Sequence, residues 1–568
     1  MPANPDFRLY HSNDLEVLAA VLARQVARLP ADGDWLRPDV VLVPQFSMRR
    51  WLQQAIAERS GICANLRFLT PGEFVDAALD ANLGVAPPAD RLAPDALRWH
   101  LLRELRNDPP TALAGFLTRS ANGADPLRTW SLAGALADTF EKYQAWRRDW
   151  LLRWERGAES DDWQALLWRR IGRGRQHRAR RIGEYLQRFA GESDAAPVGL
   201  PPRLFVFACQ NVSPDVLQVI ASQARAGEQH FYLHTPARAF WGDLQRWARD
   251  YTPADDDLHT GDNPLLAAWG QAGRDFIAVL GNGEAVHATF EAVGFVEPPR
   301  DTLLGRLQND VLDNLRFDGA APLSGRDDDA AWPRAEVDRL DPSLQFHACH
   351  TRLREVQVLH DQLRALLEAP APAGGERLQP RDIAVLAPDI DQYAPHIEAV
   401  FGGALGSARA LPYTIADASP LASTPLAEAF LRLLELPLRA LTVADLLDLL
   451  AVPAIAARFD LDDHARDALQ RWLEAAGARW GLDAADRVRH GAGQPDGDAS
   501  SAYTFEFALD RLLLGYASGE DDDIAGVAPW PQLEGQSATT LDALLKFLAL
   551  LRDTAVRLAG PHPPQRWA

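Results

Sequence analysis

The run Val40-Val41-Leu42-Val43 is apolar at every position, and so is Leu204-Phe205-Val206-Phe207. A strand with one wet face alternates, whereas a continuous apolar run belongs to a strand covered on both faces, the situation in parallel sheets. Around these runs the pattern repeats. Phe7–Ser12 is β-prone; Leu15, Leu18, Leu22, Val26 and Leu29 then share one helical face; Val40–Val43 follows; and 48–59 is helical again. Strand, helix, strand, helix predicts a doubly wound α/β sheet.

The pattern is then interrupted. From about 81 to 199 it is helical and rich in Trp and Arg, after which strand-like runs return at 203–210 and 230–236. A helical region inserted into one sheet explains this. A Pro/Asp/Gly-rich stretch at 317–342 reads as a linker. A second α/β unit opens with strand-like runs at 343–350 and 382–390 flanking the helical segment 354–369. Beyond about 425 the chain is helical, and no strand of that unit returns before Ala568, so the last domain reads as incomplete. The expected parts are 1–80 and 200–316 for the first sheet, 81–199 for its insertion, 317–342 for the linker, 343–425 for the second α/β unit and 426–568 for the helical end. A length of 568 residues suits several domains.

Of the 58 basic residues, only Lys142 and Lys546 are lysine. A phosphate-binding P-loop needs glycines for close backbone approach and a lysine for the β and γ oxygens. Neither lysine follows a glycine, and the loop after the first strand is His11-Ser12-Asn13-Asp14. A standard ATPase site is thereby excluded. The run at 203–210 ends in Cys209-Gln210, without the acidic pair that holds magnesium in a helicase lobe. A nuclease core needs a carboxylate two residues before a lysine; Phe140 and Leu544 stand there instead. The chain is therefore expected to have no catalytic activity and no cofactor of its own.

Cys63, Cys209 and Cys349 are far apart, which argues against a disulfide framework. His347-Ala348-Cys349-His350 invites a metal reading, but strand alternation would put His350 opposite the other two, and no second ligand pair lies nearby. Strand-end packing suits it better. No run of eighteen uncharged apolar residues occurs, and the first residues lack the basic and apolar segments of a signal peptide, so a cytoplasmic location is expected.

Net charge is −20, yet Arg147–Arg181 holds eleven arginines against five acids, a local excess of +6. Trp146, Trp150, Trp154, Trp163 and Trp168 are interleaved with them. Guanidinium forks suit phosphates and indole faces stack on unpaired bases, a combination fit for a single-strand channel. The spacing 146, 150, 154 equally describes one buried helix face, and core packing is the expectation for most of these tryptophans. The arginines read either as a nucleic-acid or partner surface or as a solvated face.

Several segments resemble the RecC family, the gamma subunits of exodeoxyribonuclease V. They include Tyr10-His11-Ser12-Asn13, Met48-x-x-Trp51-Leu52-Gln53, Gly61-Ile62-x-Ala64-Asn65 and Asn263-Pro264-Leu265-Leu266-Ala267-x-Trp269-Gly270. Arg354-Glu355-Val356-x-Val358-Leu359-His360-Asp361, Leu411-Pro412-Tyr413, Ala457-Arg458-Phe459-Asp460 and Arg479-Trp480-Gly481 continue the series. Their order matches the family from residue 8 to about 520, over the first half of a protein about twice as long. The resemblance implies two RecA-like lobes of an inactivated superfamily 1 helicase with mainly helical insertions. It also implies a heterotrimer with RecB-like and RecD-like subunits, which would use the ATP and magnesium. The family protein splits duplex ends, channels single strands and scans them for the Chi sequence. Its Chi-reading positions match in type at Asp138, Arg147 and Arg178, and conservatively at Glu141. Pro44, Phe46, Arg50, Thr70, Asp76, Thr139 and Lys142 occupy other reading positions with different residues, which implies a kept tunnel with altered or lost sequence preference. The alternatives are an active helicase of the same fold and a protein-interaction scaffold whose Arg/Trp strip docks an acidic partner.

Overall fold

The computed structural model describes residues 6–30, 33–34, 36–118, 125–189, 195–238, 263–282, 288–315, 340–371, 377–417, 424–492, 500–533, 537–563 and 565. It divides into two compact units, residues 1–345 and 346–568. Most of the expected linker, 316–339, lies outside the described residues.

In the first unit the chain runs β1 (Asp6–Ser12), α1 (Leu15–Val26), β2 (Asp39–Leu42), α2 (Phe46–Ser60), β3 (Leu66–Leu69) and α3 (Pro71–Leu83). It then builds six helices: α4 (Pro94–Asn107), α5 (Thr111–Leu117), α6 (Pro126–Trp146), α7 (Arg148–Glu155), α8 (Trp163–Gly172) and α9 (Arg178–Phe189). The sheet resumes with β4 (Arg203–Phe207), α10 (Pro214–Ala221) and β5 (Glu228–His234). It ends with α11 (Pro264–Trp269), α12 (Gln271–Asn282), β6 (Phe290–Val293) and α13 (Leu303–Leu312). All six strands are parallel, in the order β3-β2-β4-β5-β1-β6. Because β4 pairs with β2, the helices between α3 and β4 are inserted within one sheet.

Both faces of this sheet are covered. Val41, Val43, Phe205, Phe207 and Tyr232 pack with Leu18 and Leu22 of α1 and Leu52 and Ile56 of α2. Val40, Leu42, Leu204, Val206 and Phe231 turn to the other face, against Phe74 of α3, Ile182 and Tyr185 of α9 and Ile220 of α10. Alternation within an all-apolar run is what sends neighbouring residues to opposite layers. At the amino ends of β2 and β4, buried Asp39 and Arg203 form a two-point ion pair, Nε to Oδ1 at 2.8 Å, while the guanidinium also donates to Arg28 O at 2.8 Å. Leu29 departs from the expected helical face: it lies beyond the last residue of α1 and is exposed.

The insertion has its own core of Leu97, Leu101, Leu105, Leu136, Phe140, Trp154 and Trp168. The three tryptophans at 146, 150 and 154 do not share one helix, because α6 ends at Trp146 and Arg147 (φ −135°, ψ 38°) breaks the run before α7. Trp154 and Trp168 are buried, whereas Trp146 and Trp150 are 46% and 40% exposed.

In the second unit α14 (Arg352–Glu368) forms where a helix is expected, and α15 (Ile390–Ile397) begins at the last residue of a run expected to be a strand. The strand-like runs 343–350 and 382–390 do not pair into a ladder. Among the described residues of this unit only the isolated bridges Thr442–Trp480 and Ile524–Val527 occur. Helices close their hydrogen bonds locally, whereas a strand needs a neighbour, and Phe346 and Leu386 stand 90% exposed. The remainder is helical: α16 (Pro425–Leu434), α17 (Val443–Ala451), α18 (Pro453–Arg458), α19 (Asp463–Ala476), α20 (Ala484–Arg489), α21 (Phe505–Ser518) and α22 (Ser537–Leu558). Leu446, Leu450, Leu469, Leu473, Phe505, Leu512, Leu544 and Leu551 form its core. No helix among the described residues is long and apolar enough to cross a membrane.

Candidate nucleic-acid interface

Ligands of parallel α/β sheets sit at the carboxyl ends of the strands. Here that edge is closed by internal bonds. Asp14 caps α1, its Oδ1 accepting from the backbone N of Glu16 (2.7 Å) and Val17 (3.3 Å). A carboxylate thus occupies the helix N-terminus that a phosphate would need, and repels one. Asn13 is doubly bonded to Val296, donating through Nδ2 to its O (2.8 Å) and accepting its N–H through Oδ1 (2.9 Å). Ser12 Oγ donates to Gly294 O at 2.7 Å, and Gln210 Nε2 donates to His234 O.

A different cavity, of about 310 Å³, opens between α3, α6 and the start of α9. Asp76 of α3, Glu141 of α6 and Arg178 of α9 all line it. Three residues from distant parts of the sequence are brought together. Thr70 stands beside them. It is the N-cap of α3, in a capping box with Glu73, and a Cβ placed on Gly72 would lie 3.8 Å from Arg178 Nη2 and 4.0 Å from Thr70 Oγ1. Asp138 is exposed one turn before Glu141 on α6, and Arg147 is exposed at its end; neither lines the cavity. Arg147 donates to Trp146 O at 3.0 Å and lies 5.4 Å from the Trp150 ring centroid. Thr139 Oγ1 donates back to Ala135 O, and Lys142 is exposed on α6.

Arg50, Pro44 and Phe46 are also exposed, after β2. Since β2 pairs in parallel with β3, through Leu42 and Leu69, the segments that follow the two strands, with Pro44 and Thr70, emerge at the same edge of the sheet.

Sequence reasoning missed Arg91, Gln144 and Gln176 in this wall, and singled out Arg181 only as one arginine of the strip. Gln144 was discoverable, one turn after Glu141 on the same helix. Arg91 was not, since only the packing of α4 on α6 brings its segment over. Gln144 spans the gap, accepting the Arg178 backbone N–H at 3.1 Å and donating to Leu92 O at 3.2 Å. Asp80 neutralises Arg181 (2.9 Å) and Arg91 (3.1 Å). Arg178 has no acidic partner within 4 Å among the described residues, and its Nε is buried without a hydrogen bond.

Many other arginines of the strip are neutralised from outside it. Arg148 pairs with Asp215 (2.9 Å), Arg170 with Asp108 (2.5 Å), and Arg175 with Asp90 (3.5 Å). Burial pushes the Asp215 carboxyl up, and Arg148 partly offsets that. Among the described residues no group of three His, Cys, Asp or Glu is placed to hold a metal.

The fold and the cavity together define a parallel α/β protein carrying a helical insertion, with a polar cavity where the insertion meets the sheet's helices. The sequence model of the RecC N-terminal domain matches residues 7–314, and that of the RecBCD enzyme subunit RecC fourth domain matches 423–568. The chain belongs to the RecC family. It is 33% identical to the RecBCD enzyme subunit RecC of Escherichia coli (strain K12), over 99% of this chain and 52% of that one. The namesakes from Haemophilus influenzae and Mycobacterium tuberculosis (strain H37Rv) are 27% and 29% identical, over 99% and 96% of this chain and 53% and 50% of theirs. The chain thus spans about half the length of these curated relatives.

Proposed function

We propose that this chain is the DNA-handling part of a non-catalytic subunit in a RecBCD-type helicase–nuclease. It would act at broken duplex ends in the cytoplasm, beside RecB-like and RecD-like subunits that use ATP and magnesium. The observation that carries the reading is the cavity where Asp76, Glu141 and Arg178 meet, with exposed Trp146, Arg147 and Trp150 on the next turns of the chain. Carboxylate acceptors and a guanidinium with unused donors complement the edge of an unpaired base, and exposed indoles offer stacking surfaces. The Asp14 cap and the Asn13–Val296 bonds favour a scaffold that has lost its grip on nucleotide.

Two RecA-like lobes are part of this reading. The strand-like runs at 343–350 and 382–390, largely exposed and separated by α14, suit strands of a second lobe. With Arg50 and Asp76 at two Chi-reading positions, the channel would be kept while its preferred sequence is altered or lost. In the reconstituted complex, nuclease attenuation should then not depend on the ordinary Chi octamer; full dependence refutes this.

The DNA-binding claim is tested by fluorescence anisotropy with forked and blunt duplexes. The chain should prefer the fork, Arg147→Ala and Arg178→Ala should each weaken that binding, and no DNA-stimulated ATP hydrolysis should appear. Equal binding of fork and blunt end, untouched by either substitution, refutes it.

A further inference from the structure

Outside the cavity, a buried polar cluster centres on one carboxylate. Glu155, the last residue of α7, has a side chain only 6% exposed. A carboxylate buried this far is costly unless its lone pairs are used. Its Oε1 accepts from His177 Nε2 at 2.5 Å and from Trp168 Nε1 at 3.0 Å, and its Oε2 accepts from the Arg180 guanidinium. Burial raises its pKa, but the hydrogen bonds from His177 and Arg180, together with the guanidinium charge, outweigh burial and hold the carboxyl below the usual glutamate value. One side chain therefore ties α7 to α8, to the α8–α9 loop and to α9.

The consequence for α9 follows from histidine chemistry. With Nε2 bonded to Glu155, Nδ1 is left as the ring's acceptor. Nδ1 lies 3.3 Å from the Arg180 backbone nitrogen, and the His177 carbonyl accepts from the Arg181 backbone nitrogen at 3.1 Å. His177 thus caps α9 as Asp, Ser or Asn usually cap a helix. The first residue of α9 is Arg178, whose backbone N–H is held from the other side by Gln144. Glu155 fixes the tautomer of the cap, and the cap and Gln144 together fix the residue that faces the cavity. Close packing keeps the hub in place: Gly172 lies against the Trp168 ring so tightly that a Cβ there would come within 2.8 Å of it. An apolar residue at 155 would join the same helices without specifying a tautomer.

We infer that Glu155 and His177 are positioning residues for DNA contact, acting through the first turn of α9 on Arg178. This rests on the proposed role of the cavity. The test uses the whole chain, a fluorescein-labelled single-stranded oligonucleotide and a salt series, with circular dichroism as a folding control. Arg178→Ala should lower affinity on the order of tenfold, the size of one charge-assisted contact. Glu155→Gln, which keeps the shape and removes the charge, should lower affinity similarly and flatten the salt dependence as Arg178→Ala does. The double substitution should be no weaker than Arg178→Ala alone. His177→Asn, able to cap but too short to reach Glu155, should bind better than His177→Ala, a rescue that merely structural filling would not produce.

If Arg178→Ala weakens binding while Glu155→Gln and His177→Ala do not, the positioning role is overturned and the cavity reading survives. Additive losses in the double substitution overturn the positioning role too. If Arg178→Ala binds normally, both fall.

Discussion

Single-strand affinity should depend on salt much less steeply than the eleven arginines of Arg147–Arg181 suggest. Six of them are already paired in the fold: Arg148, Arg153, Arg170, Arg175, Arg180 and Arg181 meet Asp215, Glu159, Asp108, Asp90, Glu155 and Asp80. Arg147, Arg156, Arg169, Arg173 and Arg178 have no carboxylate within 4 Å among the described residues. Each phosphate neutralised on a single strand contributes a slope of about 0.7 in log K against log salt. Five available arginines therefore limit the strip's share to about 3.5, whereas eleven would give about 8. Anisotropy titrations between about 50 and 300 mM salt measure this directly. Arg178→Gln and Arg147→Gln should each flatten the slope by about 0.7, while Arg170→Gln, whose charge is already matched by Asp108, should leave it unchanged. If Arg170→Gln flattens it as much as Arg178→Gln, the pairing in the fold does not govern binding and the reasoning is refuted.

Other expectations concern the scaffold. Arg203→Met strands the buried Asp39 carboxylate and should cost about 3–5 kcal/mol, seen as roughly two to three and a half decades less hydrogen-exchange protection in β2 and β4; Asp39→Leu added to it should recover most of the loss. Burial first, with Arg8 assisting against the pull of Glu228, lowers the His230 pKa to about 4. The unfolded chain then binds the extra proton, so stability should fall by up to about 1.4 kcal/mol per pH unit as pH drops from about 6.5 towards 4. Urea unfolding across that range should show the slope, and His230→Gln should remove it.

Much of this fold is legible in the sequence because burial on both faces leaves a simple trace. Val40–Val43 and Leu204–Phe207 are apolar throughout since neighbours serve opposite layers, and their wide separation already implies an insertion. The edge strand β6 is exposed and carries no comparable run. The tryptophan spacing misleads at Trp146 and Trp150, because periodicity assumes one continuous helix and Arg147 breaks it. Charge counting along the strip misleads for a related reason. Asp80, Asp90, Asp108 and Asp215 lie outside it in sequence and next to it in space. In the second unit, helical runs form by themselves, while the strand-like runs at 343–350 and 382–390 remain without a ladder, since pairing depends on a neighbour no local pattern specifies. As for the cavity, resemblance supplied Asp76, Glu141 and Arg178 as separate positions; their meeting needs α3, α6 and α9 packed together.

Photo-crosslinking of a single strand carrying 5-iodouracil, followed by peptide mapping, tests most directly whether this cavity handles unwound DNA. Crosslinks should fall on the aromatic and cationic residues around it, in the peptides holding Trp146, Trp150 and Arg178, and should fade when Arg178 is replaced by alanine. Crosslinks confined to surfaces away from α3, α6 and α9, unchanged by that substitution, would contradict the account.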